Sequence, residues 1–124
     1  MDKLKISSTF TTPQVNFDSG KGELEIEGKI IPEDSEKFFK AIFDWIENYS
    51  PEKQKAVVMR FRLFYYNTGA SKRILLLMKK IDALYQQGND IKIVWEYEEG
   101  DEDSMNDCED YKKHLKIPIE IRKI

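Results

Sequence analysis

The stretch "AVVMRFRLFYY", residues 56–66, carries apolar side chains on both faces of an extended chain. Val57, Met59, Phe61 and Leu63 fall on one face; Val58, Arg60, Arg62 and Phe64 fall on the other. A strand of this kind belongs inside a sheet, with a neighbour on each side. Five small or polar residues follow, then a strongly helical segment, then a second alternating strand, "DIKIVWEY". Strand, helix and strand in that order make a parallel pair joined by a right-handed crossover.

The flanking segments extend the pattern. Upstream, "PQVNFDSGKGELEIEGKI" alternates at Val15, Phe17, Leu24, Ile26 and Ile30 around the turn residues "DSGKG", which predicts a hairpin. "PEDSEKFFKAIFDWIENY" reads as a helix with Pro32 at its start and Asp34 or Ser35 as cap. Its stripe of Phe38, Phe39, Ile42, Trp45, Ile46 and Tyr49 faces a core, and Pro51 blocks its continuation. The next helix spans about Ser71 to Gln87, with Ile74, Leu75, Leu77, Met78, Ile81, Leu84 and Tyr85 inward and Gly88 and Asn89 at its end. A third helix starts near Ser104 with Met105, Cys108 and Leu115 inward, and "IPIEIRKI" closes the chain as a strand. The expected class is therefore α/β. It is a small mixed sheet with helices packed on it, in the order β-β-α-β-α-β-α-β, within one domain over residues 1–124. Two crossovers supply the parallel part, and the hairpin supplies an antiparallel edge.

Composition excludes several functions. Net charge is -3, which argues against a general nucleic-acid binder. No apolar run approaches the roughly 18 residues that span a bilayer. The start, "MDKLKISSTF", lacks the apolar core of a signal peptide, so a cytoplasmic protein is expected. A single cysteine, Cys108, forbids a disulfide within the chain. One histidine, His114, and that cysteine fall short of a zinc ligand set, and no metal or other cofactor is expected. "NTGASK" lacks the spacing of a phosphate-binding loop. The acidic run "DEDSMNDCEDYK" has Met105, Asn106 and Lys112 where a calcium loop needs a ligand, Gly and Glu.

What remains is the junction "YNTGAS". Loops that leave the carboxyl ends of parallel strands gather at one edge of a sheet, and function collects there. The junction is one such loop; "EYEEGDEDSMND" is the other, and the topology makes them neighbours. Three readings of the hydroxyls are open. Asn67, Thr68 or Ser71 is a plain helix cap, worth roughly 1 kcal/mol. Alternatively, Thr68 or Ser71 is the nucleophile of a small hydrolase or transferase, with only carboxylates, Lys72 or the distant His114 as base. Or a hydroxyl accepts a phosphate, which the helix N-terminus, Lys72 and Arg73 would welcome while Gly69 and Ala70 leave a partner room to approach. Phe64, Tyr65, Tyr66, Trp95 and Tyr97 are mostly core, and those near strand ends are possible partner anchors.

The combination of "TPQVNFD", "GELEIEGK", "FRLFYYNTGASK" and "WEYEEGDEDSM" resembles the SiaC family of bacterial regulatory phosphoproteins, nearly end to end. The resemblance implies a fold like that of anti-sigma-factor antagonists (STAS-like) and a switch that is not an enzyme. It implies that a Ser/Thr kinase phosphorylates Thr68 and that a PP2C-type phosphatase reverses this. The unphosphorylated form is implied to bind and activate a diguanylate cyclase, promoting cyclic di-GMP synthesis and biofilm growth. On this reading Asn67, Gly69, Ser71 and Lys72 shape the phosphosite, and Tyr66, Tyr97, Asp101, Glu102 and Asp103 form partner surface.

Overall fold

The computed structural model describes residues 3–31, 35–52 and 55–124. Its elements are β1 (Lys3–Ile6), β2 (Gln14–Asp18), β3 (Glu23–Ile30), α1 (Ser35–Glu47), β4 (Val57–Tyr66), α2 (Thr68–Gln86), β5 (Ile91–Tyr97), α3 (Glu102–Lys112) and β6 (Ile119–Lys123). The class is as expected, a mixed α/β sheet with three helices, but the element order gains a strand. The "KLKI" segment pairs antiparallel with β2, so β1 and not the hairpin forms that edge. There are also three crossovers rather than two, because β3 pairs parallel with β4 as well. The expected helix start at Pro32 and Asp34 lies outside the described residues.

The strands lie in the order β1-β2-β3-β4-β5-β6, so β4 does sit in the middle. Every crossover steps in the same direction. Right-handed connections that never reverse put all their helices on one face. That face is the core: Phe17, Leu24, Ile26, Met59, Phe61, Ile93 and Trp95 lie under Phe39, Ile42, Ile74, Leu77 and Met78, all at most 2% exposed. Trp45 of α1 stacks on Tyr49 at 4.7 Å and leans on Phe17 at 5.1 Å. Among the described residues, no helix is long and apolar enough to cross a membrane.

The opposite face has no helices and is charged. The register places Glu27, Arg62, Glu96 and Arg122 side by side across β3, β4, β5 and β6. Opposite charges in adjacent strands attract. Glu96 is only 4% exposed; Arg62 approaches its carboxylate at 3.1 Å, Arg60 at 3.6 Å and Arg122 at 3.8 Å. Glu25 and Glu27 hold the outer sides of Arg60 and Arg62, each at 3.5 Å. The second face of β4 is thus satisfied by ion pairs, not by a second apolar layer.

One irregularity shapes the functional edge. Leu63 pairs with Gly28 but Tyr65 pairs with Lys29, so Phe64 is skipped by β3. Such a bulge breaks the period of two. Phe64 keeps the outer face that alternation gives it, Tyr65 becomes exposed as well, and Tyr66 returns toward the helices, where its ring meets Trp95 edge-on at 6.0 Å. Strict alternation would have sent Tyr66 to the charged face.

Candidate functional site

The β4–α2 junction and the β5–α3 loop meet, as the topology required. Helix α2 begins at Thr68, three residues earlier than expected, and its cap is Asn67. The Asn67 side chain accepts from the Ala70 amide at 2.9 Å, and the Asn67 carbonyl accepts from the Ser71 amide at 2.8 Å. Ala70 is fully buried, so a larger side chain there would meet the core. Thr68 stands exposed at the first helical position, and among the described residues nothing hydrogen-bonds its hydroxyl. Lys72, one turn on, is also exposed. Gly69 is helical, and a Cβ there would touch only Arg73 and Asn67, at 3.8 and 3.9 Å. Arg73 reaches Glu36 of α1 at 4.0 Å.

Helix α3 starts at Glu102, not Ser104, because Asp101 caps it by accepting from the Ser104 amide at 3.2 Å. Glu102 and Asp103 then occupy its first turn, where the helix dipole favours negative charge. The inward residues are Ser104, Cys108 and Tyr111; Met105 and Leu115 are only half-buried. Three hydrogen bonds fix α3, two to the junction and one to β5. Tyr66 Oη donates to Asp107 Oδ2 at 2.7 Å. Trp95 Nε1 donates to Ser104 Oγ at 3.0 Å. The Ser71 and Tyr111 hydroxyls bond each other. Trp95 lies beneath all of this, with the rings of Phe61 at 5.6 Å and Tyr111 at 5.7 Å. Ser104, Asp107 and Tyr111 were not picked out from the sequence; their i, i+3 and i+7 spacing on an acidic helix was the available signal.

A groove of about 420 Å³ opens between the end of β4 and α3, lined by Phe64, Tyr65, Tyr66, Asp101, Asp103, Ser104, Asn106 and Asp107. It gathers three of the expected partner-surface residues, Tyr66, Asp101 and Asp103. Glu102 and Tyr97 are left out: Glu102 points elsewhere on α3, and Tyr97 sits beside β6, paired with Lys123.

Buried acids in this site hold their protons. Burial, followed by the bond to Asp107, pushes the Tyr66 phenol well above its ordinary value. Burial also raises Tyr111 to about 12 and the Cys108 thiol from 9.0 to about 12. A folded pKa above the unfolded one means that the unfolded chain deprotonates first. The resulting stability is full below pH 9.0 and is lost as pH rises toward about 12. We therefore expect the urea midpoint to fall progressively above pH 9.0, and Cys108→Ala to remove the earliest part of that fall. A flat midpoint across this range would contradict it. The same chemistry speaks against Ser71 as a nucleophile: its hydroxyl is held by a phenol that keeps its proton, and His114 is an exposed residue beyond α3.

Comparison with known proteins settles the family. Residues 6–124 match the family described as SiaC family regulatory phosphoprotein. The chain belongs to the SiaC family. SiaC of Pseudomonas aeruginosa has the same fold, with a TM-score of 0.87 at 25% identity and 100% of both chains covered. A second match, with a TM-score of 0.88 at 26% identity, covers 98% of this chain and 99% of the other. It comes from the crystal structure of the diguanylate cyclase SiaD in complex with its activator SiaC, from the same organism. An uncharacterized protein of Pseudomonas aeruginosa strain UCBPP-PA14 is 26% identical over 122 residues, which is 98% of this chain and 97% of that protein. As a SiaC family member, this chain is a regulatory protein and not an enzyme.

Proposed function

We propose that this SiaC family member is a phosphorylation-gated activator of a diguanylate cyclase, working in the cytoplasm, with Thr68 as the phosphoacceptor. One observation carries the reading: the capping role at the start of α2 belongs to Asn67, so the exposed Thr68 hydroxyl has no structural task. A Ser/Thr kinase would add the phosphate and a PP2C-type phosphatase would remove it. Asn67 and Gly69 set the approach to the hydroxyl, Ser71 ties the turn to α3, and Lys72 lies one turn away as a cation for the phosphate. A phosphate brings about -1.5 to -2 of charge. It would turn a neutral helix start into an anionic one beside the acidic wall of α3, and a partner fitted to the neutral form would be repelled. Tyr66, Asp101 and Asp103 in the groove form the proposed partner surface; Glu102 and Tyr97 lie outside that groove and would serve only a partner that reaches past it.

Stability separates the cap from the switch. Asn67→Ala should lose about 1 kcal/mol, whereas Thr68→Ala should leave the urea midpoint nearly unchanged. A loss of similar size in Thr68→Ala would return Thr68 to the role of cap.

The functional test is peptide-mapped mass spectrometry of the protein from its native cells, followed by cyclase assays. Phosphate is expected on Thr68 and should vanish with phosphatase treatment. Unmodified protein and Thr68→Ala should stimulate the cyclase; the phosphorylated form and Thr68→Glu should stimulate it about tenfold less or weaker, a difference of about 1.4 kcal/mol. Equal stimulation by all four forms would end this proposal.

A further inference from the structure

The carboxyl edge of the sheet exposes a run of aromatic rings that the phosphosite does not use. Phe10 is 89% exposed, Tyr65 51% and Phe64 39%. They make up three of the five exposed large apolar side chains among the described residues, and two hollows that share Phe64 link them. Phe10 and Phe64 line one hollow of about 300 Å³, and Phe64 and Tyr65 line the 420 Å³ groove beside it. Phe64 faces outward by the alternation of β4, and the bulge after Leu63 turns Tyr65 outward beside it. Solvent does not favour such a ridge, and a contiguous apolar surface of this kind marks a contact site.

The charge beside the ridge defines what can sit on it. The facing wall of the groove carries Asp101, Asp103 and Asp107, and among the described residues no cation lines that groove. Asp101 is engaged as a cap and Asp107 by Tyr66, but each uses one oxygen; Asp103 has no partner among the described residues. The hollow around Phe10 adds a single charge, Lys29. An anionic membrane or a phosphate-bearing ligand would meet repulsion here.

We propose that this ridge docks a basic segment of a partner protein. An apolar side chain of that segment would seat among Phe10, Phe64 and Tyr65, and an arginine or lysine would lie against Asp101, Asp103 and Asp107. Aromatic rings beside carboxylates suit a guanidinium in particular, which stacks on one and pairs with the other. The inference deepens the reading of the groove as partner surface and does not depend on phosphorylation of Thr68. A phosphate there has the same sign as the acidic wall, so this contact survives phosphorylation whereas the contact over the α2 start is lost.

Two synthetic peptides provide the probe, one alternating leucine with arginine and one alternating leucine with glutamate. Each is titrated into the full chain and followed by backbone amide shifts. The arginine peptide should move the amides of residues 10, 64–66 and 101–107, and the glutamate peptide should not. The double variant Phe10→Ser, Tyr65→Ser changes only exposed side chains and should weaken binding about tenfold. Asp103→Asn should weaken it less and reduce its salt dependence. Thr68→Ala should bind as well as wild type. The proposal is overturned if both peptides bind alike, if the shifts fall elsewhere, if the double variant binds unchanged, or if nothing binds at millimolar peptide. None of these outcomes bears on whether Thr68 is phosphorylated, which the mass spectra decide separately.

Discussion

Gly28→Val should destabilise the fold by about 3 kcal/mol and disturb the groove at the same time. Gly28 has φ of +134°, a conformation that a β-branched residue adopts only under strain. Space is also lacking: a Cβ there would stand 3.0 Å from Pro13 Cα and 3.2 Å from its Cβ. The residue lies opposite the β4 bulge, so relieving the clash moves the register that turns Tyr65 outward and Tyr66 inward. Gly100→Val is the informative control. Its φ is +91°, but nothing lies within 4 Å of the added Cβ, so it should show the conformational penalty alone, about 1 kcal/mol. Urea unfolding measures both, and the amide shifts of Tyr65 and Tyr66 report the bulge. If the two variants lose equal stability and Gly28→Val leaves those shifts in place, the packing at Pro13 does not hold the bulge.

The second large effect belongs to Asp82. It is 6% exposed in the middle of α2, and one carboxylate oxygen accepts two backbone amides, from Lys116 at 3.0 Å and Ile117 at 2.8 Å. The other oxygen accepts from Gln86 at 2.7 Å. These bonds tie α2 to the chain that enters β6. Removing the acceptor leaves buried donors unsatisfied, which costs far more than a bond merely weakened. Asp82→Ala should lose about 3 kcal/mol, and Asp82→Asn, which keeps an acceptor oxygen, about half of that. Hydrogen exchange should accelerate first in β6, since its inner anchor is gone. Loss below about 0.5 kcal/mol in Asp82→Ala, or exchange that rises evenly over the sheet, would show that the carboxylate is not an anchor.

These two positions show where the sequence was silent. The hairpin, all three helices and β4 to β6 follow from periodicity, because one face of each is apolar. β1 was missed because four residues, "KLKI", give only two alternations amid charge and sit half-exposed at an edge. The bulge was invisible because alternation assumes a constant period. Nothing in the sequence singles out Asp82, since its partners come 34 and 35 residues later. At the site, Asn67 and Thr68 were both read as possible caps; only the backbone shows which residue precedes the first turn. The acid-rich stretch after β5 reads as a loop and helix start with the helix beginning near Ser104; the Asp101 cap moves that start to Glu102, with Asp103 in the first turn. The meeting of the two loops was legible, because it depends on topology rather than on any one contact.

The unreversed strand order has a consequence for how the chain assembles. Each strand's first hydrogen-bonded neighbour is the one just before it in sequence. Parallel sheets are usually slow to form because distant segments must meet first. Here no strand waits for one made much later. The sheet can grow as a zipper from the amino terminus while the chain leaves the ribosome, each helix folding over the strands already paired. The last strand to arrive, β6, is also the one that Asp82 is waiting to receive.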